Sequence, residues 1–212
     1  MILEAGVEYV ERFGVRQLTM RRLGKELGVE AMSLYRYVHS REDLLDGIVE
    51  SVVDELYSDP EVTVEPVHGW QDYLLRLAHG SRRLAQTRPQ VFPLVATRPT
   101  EAPWVRPPLR SLRWVESFLA ALTGSGFSER AAVDAYRAFS SFLLGHLLLE
   151  VSAMGADVGP AEEAELRPPR PADLSGYPLL REFQSLLSED RAEQEFEEAL
   201  EQLLERLETL RS

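Results

Sequence analysis

Between Leu18 and Arg41 the sequence reads LTMRRLGKELGVEAMSLYRYVHSR, a stretch that concentrates side chains able to bind anions or base edges. Arg21, Arg22, Tyr35, His39 and Arg41 are donors suited to phosphate oxygens. Ser33 can bond a base edge or a phosphate, while Ala31 and Met32 can touch thymine methyls. Arg36 and Tyr37 belong to the same outward face. From residue 12 to residue 41 there are seven cations and two anions, so this window carries +5 and the remainder −17 of the net −12. A basic island in an acidic protein marks a surface for a polyanion. The chemistry implied is recognition of double-stranded DNA by hydrogen bonds and charge neutralisation.

Such a surface needs short, rigid elements to hold it. Apolar residues recur at i, i+3, i+4 and i+7 along most of the 212 residues, and period-2 alternation is rare, so the expected fold class is all-α. A first helix spans roughly 2–13, with Ile2, Gly6, Tyr9, Val10 and Phe13 on one side, and Gly14 ends it. Thr19 is placed to cap a short helix carrying Leu23 and Leu27. Gly28 then breaks the chain where a turn needs positive φ. A third short helix is expected from about 30 to 38, with Leu34 and Val38 inward. Two short helices around a glycine-containing turn make a helix-turn-helix, whose second helix reads the major groove. Ser40 and Asp43 form a capping box for a fourth helix with an apolar stripe from Leu44 to Leu56. The segment 57–69 has two prolines and no helical period, which divides the chain into 1–56 and 57–212. Helices are expected beyond it at about 69–87, 89–96, 104–124, 128–154, 177–188 and 191–210, with a proline-rich surface loop over 155–176.

The stretch Leu18–Val49 resembles the DNA-binding domain of the TetR family of bacterial transcriptional repressors. The Gly-Val turn, the Leu-Tyr pair at 34–35 and the Ser-Arg-Glu-Asp-Leu-Leu opening of helix four carry the likeness. ATRPTEA (96–102), GFS (126–128), YPLLREF and EFEEALEQLLERLE resemble the C-terminal domain of the tetracycline-repressor subgroup. The resemblance implies an N-terminal three-helix helix-turn-helix domain linked by a fourth helix to a helical ligand-binding and dimerisation domain. It also implies DNA contacts at Arg21, Ser33, Tyr35, Tyr37 and Arg41. Met32 stands where the subgroup has proline, and Arg36–Tyr37 replaces an aromatic–histidine pair, so a different operator is expected. The basic arm that many relatives carry ahead of helix one is missing, so arm contacts in the minor groove are not expected.

In the C-terminal part, aromatic and polar residues sit on otherwise apolar faces, among them Trp104, Trp114, Phe139 and His146. That composition suits a pocket for a small-molecule effector. By resemblance, Leu94 takes the place of a histidine that binds the drug's magnesium ion. Leu77 and Ser81 replace its asparagine and phenylalanine, and Thr97 is retained. An aliphatic side chain cannot ligate Mg²⁺. The expected effector is therefore largely apolar and is not magnesium–tetracycline. The last helix carries an apolar seam that includes Leu200, Leu203, Leu204 and Leu207. The 128–154 helix is apolar on nearly every side, with Phe142, Leu143 and Leu147 among its residues. Both could be ordinary core. The resemblance pairs them with their copies in a two-fold bundle, making a homodimer for a palindrome.

Other classes are narrowed in turn. There is no cysteine, hence no disulfide or thiolate chemistry, which fits a reducing cytoplasm. No nucleophile elbow, P-loop or dinucleotide fingerprint points to an enzyme or a cofactor, and His68, His79 and His146 lack metal-site spacing. The longest apolar run, Phe142–Val151, is too short to span a bilayer, and the N-terminus lacks a signal peptide's basic region. A DNA-binding regulator with no small-molecule effector, controlled by abundance or a protein partner, remains the alternative.

Overall fold

The structure is a computed structural model that describes residues 2–62, 68–98, 102, 104–107, 111–158 and 173–211. Every regular element among them is helical. Helix α1 (Ile2–Phe13) buries Gly6, Val7, Tyr9 and Val10. Phe13, expected inward, is 45% exposed, with its ring beside Tyr9 and under the Arg12 guanidinium. Gly14 leaves the helix at φ +78°, and a single 3₁₀ turn, Val15–Gln17, leads to α2 (Met20–Glu26). The Thr19 side chain accepts the Arg22 backbone N–H and fixes the start of α2.

Gly28 has φ +67°, as the turn requires, with open space around it. A second glycine in the motif matters for another reason. A Cβ on Gly24 would lie 2.8 Å from the Val29 carbonyl oxygen and 3.3 Å from the Ala31 Cα. The close approach of α2 to α3 (Ala31–Leu34) therefore depends on a missing side chain. Helix α3 is shorter than the expected 30–38. Its helical run stops at Leu34, whose carbonyl takes the N–H groups of both Tyr37 and Val38 and tightens the backbone into a turn. Ser40 accepts from the Asp43 N–H and opens α4 (Arg41–Ser58).

Among the described residues seven helices follow: α5 (Trp70–Thr87), α6 (Phe92–Thr97), α7 (Leu112–Gly124), α8 (Glu129–Ala153), the short α9 (Pro178–Glu182) and α10 (Gln184–Leu187), and α11 (Ala192–Arg211). The expected helix over 104–124 begins only at Leu112, capped by Ser111. Residues 104–107 form turns and bends, because Pro107 and Pro108 cannot supply helical N–H groups. Parts of two irregular segments, 63–67 and 159–172, lie outside the described residues, as do 99–101 and 108–110.

One apolar core runs through both halves of the chain, from Leu23, Leu34 and Leu44 through Leu56 to Trp70, Phe118, Phe139 and Phe196. Arg82 of α5 makes a bidentate pair with Glu150 of α8 and lies 4.9 Å over the Phe196 ring of α11, tying three helices together. Polar ties cross the segment boundary as well. Arg98, just after α6, reaches Asp46 at 2.6 Å and Glu42 at 2.7 Å on α4. Glu11 of α1 accepts the backbone N–H of Val91 at 2.9 Å.

Replacing Gly24 with Ala should destabilise the protein by about 1–3 kcal/mol, the usual cost of overpacking, because the neighbour that must yield is backbone. Thermal unfolding of the variant beside the wild-type protein checks this.

Candidate nucleic-acid interface and effector cavity

Helices α2 and α3 present one face to solvent. Met32 and Tyr37 are each 75% exposed and Tyr35 is 40% exposed. Arg21, Arg22, Ser33, Arg36 and His39 are exposed as well. Among the described residues Arg21, Lys25 and Arg36 have no ion pair, so their charge is available to a polyanion. Arg12 is paired with Glu26 at 2.9 Å. Arg22 is partly engaged, donating to the Gln17 carbonyl at 3.0 Å and to its side-chain oxygen.

Two expected contacts have other work here. Arg41 donates from Nε to the Leu18 carbonyl and from Nη2 to the Val15 carbonyl, both at 2.9 Å, with Nη1 towards Glu42. Its guanidinium satisfies backbone acceptors in the connection before α2, which places it as a structural clamp beneath the basic face. Ala31 is half-buried against Gly24, leaving Met32 and Ser33 as the more forward residues at the start of α3. An open groove of about 950 Å³ runs between α1 and the recognition unit, bordered by Leu3, Val29, Ser33 and Tyr37. Its charged lining is Glu4, Glu8, Glu55 and Arg88, so it is a surface concavity beside Ser33 and Tyr37 that none of Arg21, Arg22, Lys25 and Arg36 lines.

The second site is enclosed and much smaller. A cavity of about 30 Å³ lies where α4 meets the C-terminal helices. Val49, Val53 and Leu56 of α4 form one wall; Ser81 and Leu84 of α5 and Phe92 and Val95 of α6 form the next. Ser111 and Trp114 at the start of α7, with Leu143, Leu144 and Leu147 of α8, complete it. Among the described residues no lining side chain carries a charge. The Ser81 hydroxyl donates to the Leu77 carbonyl at 2.6 Å, and Ser111 accepts the Trp114 backbone N–H. The Trp114 indole N–H is buried with no acceptor among the described residues.

Of the eight residues expected at the effector site, Ser81 and Trp114 line this cavity. Leu77 and Phe139 are buried core, at 1% and 0% exposure. Leu94 is half-buried on α6, where its neighbour Val95 takes the lining position. Thr97 is exposed and turns its hydroxyl back to the Pro93 carbonyl. Trp104 is 80% exposed in the segment that is not helical. His146 faces α11, with its ring 5.2 Å from Phe196 and 5.8 Å from Phe142. The contribution of α4 was missed, because its stripe reads equally well as core. Nothing in the sequence separates those two uses.

The expected dimer residues also divide. Leu143, Leu147, Leu200, Leu204 and Leu207 are buried within the protomer; Leu143 and Leu147 line the cavity, Leu204 borders a groove with Gln71 and Leu75 of α5, and α11 as a whole packs on α8. Phe142 and Leu203 remain half-exposed. Beside them Leu149 is 76% exposed, and in α9–α10 Leu179, Leu186 and Leu187 are each more than 60% exposed. No helix among the described residues is long and apolar enough to cross a membrane.

Comparison with known proteins agrees with this architecture. Residues 2–48 match the family model described as bacterial regulatory proteins, tetR family, and residues 64–211 match that of the tetracyclin repressor-like C-terminal domain. An HTH-type transcriptional regulator of Saccharopolyspora erythraea is 32% identical over 149 residues, 70% of this chain and 59% of that protein. The match thus spans less than two thirds of that relative's length. The tetracycline repressor protein class D of Escherichia coli is 31% identical over 206 residues, 96% of this chain and 85% of the repressor. A crystal structure of a possible TetR family transcriptional regulator from Streptomyces coelicolor A3(2) superposes with a TM-score of 0.75 at 27% identity, covering 99% of this chain and 98% of that one.

Arg41→Ala should cost roughly 1–3 kcal/mol of stability by leaving the Leu18 and Val15 carbonyls without their donor. Arg36→Ala, at an exposed position, should stay within about 0.5 kcal/mol. Chemical denaturation of both variants separates the clamp from the free cation.

Proposed function

Because the chain belongs to the TetR family of bacterial transcriptional regulators, we propose that it is a homodimeric repressor of a palindromic operator, released by a small, largely apolar effector. Residues 1–56 serve as the DNA-binding part with its connecting helix, and residues 57–212 as the effector-binding and dimerisation part. The observation that carries the reading is the double role of α4. It begins at the recognition unit, capped by Ser40, and its far end supplies Val49, Val53 and Leu56 to the enclosed cavity. Anything that enlarges the cavity pushes on the helix that holds the reading head.

The effector need only favour the displaced state of α4. A coupling of about 1–3 kcal/mol changes operator affinity roughly 5- to 150-fold. Magnesium–tetracycline is a poor candidate, because the cavity offers no carboxylate or imidazole to a hard cation. DNA would be held by Arg21 and Arg22 on phosphates, with Met32, Ser33, Tyr35, Arg36 and Tyr37 towards base edges and His39 at the flank. Two such heads about 34–36 Å apart fit successive major-groove faces of a palindrome. The acting protein is cytoplasmic in this reading, beside the DNA it controls.

Dimerisation is supported by the apolar surface left on a single chain: Phe142, Leu148 and Leu149 on α8, Leu203 on α11, and the α9–α10 leucines. Large apolar side chains exposed in this number are what an interface would cover. Size-exclusion chromatography with light scattering should give twice the 24.0 kDa chain mass; a strict monomer ends this proposal. In a mobility-shift assay with the DNA upstream of its own gene, binding should weaken steeply as salt rises. Tyr37→Ala and Ser33→Ala should change which operator bases are preferred, whereas Arg21→Ala should weaken binding to all sequences alike. Loss of discrimination in none of these variants would remove α3 as the reading element.

A further inference from the structure

The effector cavity carries more chemical information than its apolar lining. Its 30 Å³ holds little more than a water molecule or two. Yet Trp114, one of its lining residues and 7% exposed, buries an indole N–H that meets no acceptor among the described residues. A buried donor without an acceptor is costly, and the other lining hydroxyls do not relieve it. Ser81 is engaged with the Leu77 carbonyl, and Ser111 is engaged in capping α7. Among the described residues no charged side chain lines the cavity, so none of them would supply a counter-ion to a charged guest buried there. The cavity therefore asks for a neutral molecule with an acceptor to meet one donor.

A surface groove lies beside it. A groove of about 370 Å³ between α4 and the start of α7 shares Val49, Val53 and Ser111 with the cavity. A guest entering there would meet α4 first and then Trp114.

We propose that the effector is an uncharged, rigid apolar molecule bearing a carbonyl or ether oxygen, and that the Trp114 indole N–H donates to that oxygen inside the cavity. This rests on the reading of the cavity as the effector site. The donor sits on α7 and the yielding wall is α4, so the hydrogen bond fixes one end of the guest while its body displaces the helix.

The test uses three tricyclic probes on the full chain, titrated calorimetrically: 9-fluorenone, fluorene, which lacks the oxygen, and 9-fluorenone-4-carboxylate, which adds a charge. Wild-type protein should bind fluorenone roughly tenfold tighter than fluorene, the worth of one buried hydrogen bond, and should not bind the carboxylate measurably. Trp114→Phe keeps the ring and removes the N–H; it should retain fluorene binding and bring fluorenone down to the same affinity. Val53→Trp fills the cavity from α4 and should abolish both. Equal affinity of wild type for fluorenone and fluorene, preferred binding of the carboxylate, or an undiminished fluorenone preference in Trp114→Phe overturns the inferred class. So does failure of fluorenone to bind wild-type protein. The effector-site reading fails separately, if probe binding or operator release by any compound survives Val53→Trp. Thermal unfolding of both variants confirms that each is folded before its titration is read.

Discussion

Helix α4 has to satisfy two sets of neighbours with one rigid rod. Near its start Leu44, Leu45 and Ile48 are buried against α1, where Gly6 admits Ile48 so closely that a Cβ would lie 2.8 Å from its Cδ1. Further along, Val49, Val53 and Leu56 turn to the C-terminal helices. Eighteen residues of α-helix span about 27 Å, so the rod joins the reading head to the cavity without an intervening hinge. Both ends sit in close-packed surroundings, and close-packed interiors transmit a displacement instead of absorbing it. The helix-turn-helix is in turn positioned by α1 and α4, so the geometry of the DNA face inherits whatever α4 does.

Polar contacts trim this junction, and they work in opposing directions. Arg98 is only 13% exposed at its side chain and holds both Glu42 and Asp46 of α4. Its hydrogen bond keeps the Glu42 carboxyl below the usual carboxylate range. Stability from that contact is present above the unfolded pKa and fades as pH falls through the lowered folded value. Glu11 behaves inversely. Burial pushes its carboxyl up, against the lowering effect of the Val91 and Gln90 backbone N–H groups that it accepts. Its folded form binds a proton more readily than its unfolded form, so its contribution improves as pH falls through the raised value. Exposed pairs such as Arg88–Glu55 add little, since solvent screens them. The junction is thus cemented by apolar packing and only biased by charge, which suits a joint that must shift.

The fold was legible in the sequence where one physical rule governs one residue. Thr19, Ser40 and Gly28 act as the capping and turn rules require, and α1 has the expected bounds. The basic island and the exposed Met32–Tyr37 face were equally visible. What could not be read has specific causes. A leucine stripe does not say which protein surface it meets, and the sequence could not show that Leu200, Leu204 and Leu207 are already buried within a single chain. A cationic side chain does not say whether its partner is phosphate or backbone, so the clamp role of Arg41 needed coordinates. Gly24 looks like an indifferent helical glycine until the backbone of Val29 is seen against it. Trp104 lies in a proline-bounded stretch that periodicity alone carries on as helix.

Under the proposed function, the small size of the cavity is what would let a guest signal. A site already open to the about 300–1,000 Å³ of an ordinary ligand pocket could be filled with no displacement, and a ligand with equal affinity for two states shifts neither. Here the space is about 30 Å³. Any guest larger than water must move a wall, and α4 is the wall that continues to the helix-turn-helix, whereas α5 and α8 are tied to each other by Arg82 and Glu150 at about 3 Å. The work of opening lowers the observed affinity by the same free energy that it delivers to the DNA end. An effector for this protein must therefore bind the opened form tightly enough to offset that work, which is why shape and one well-placed hydrogen bond matter more here than the number of contacts.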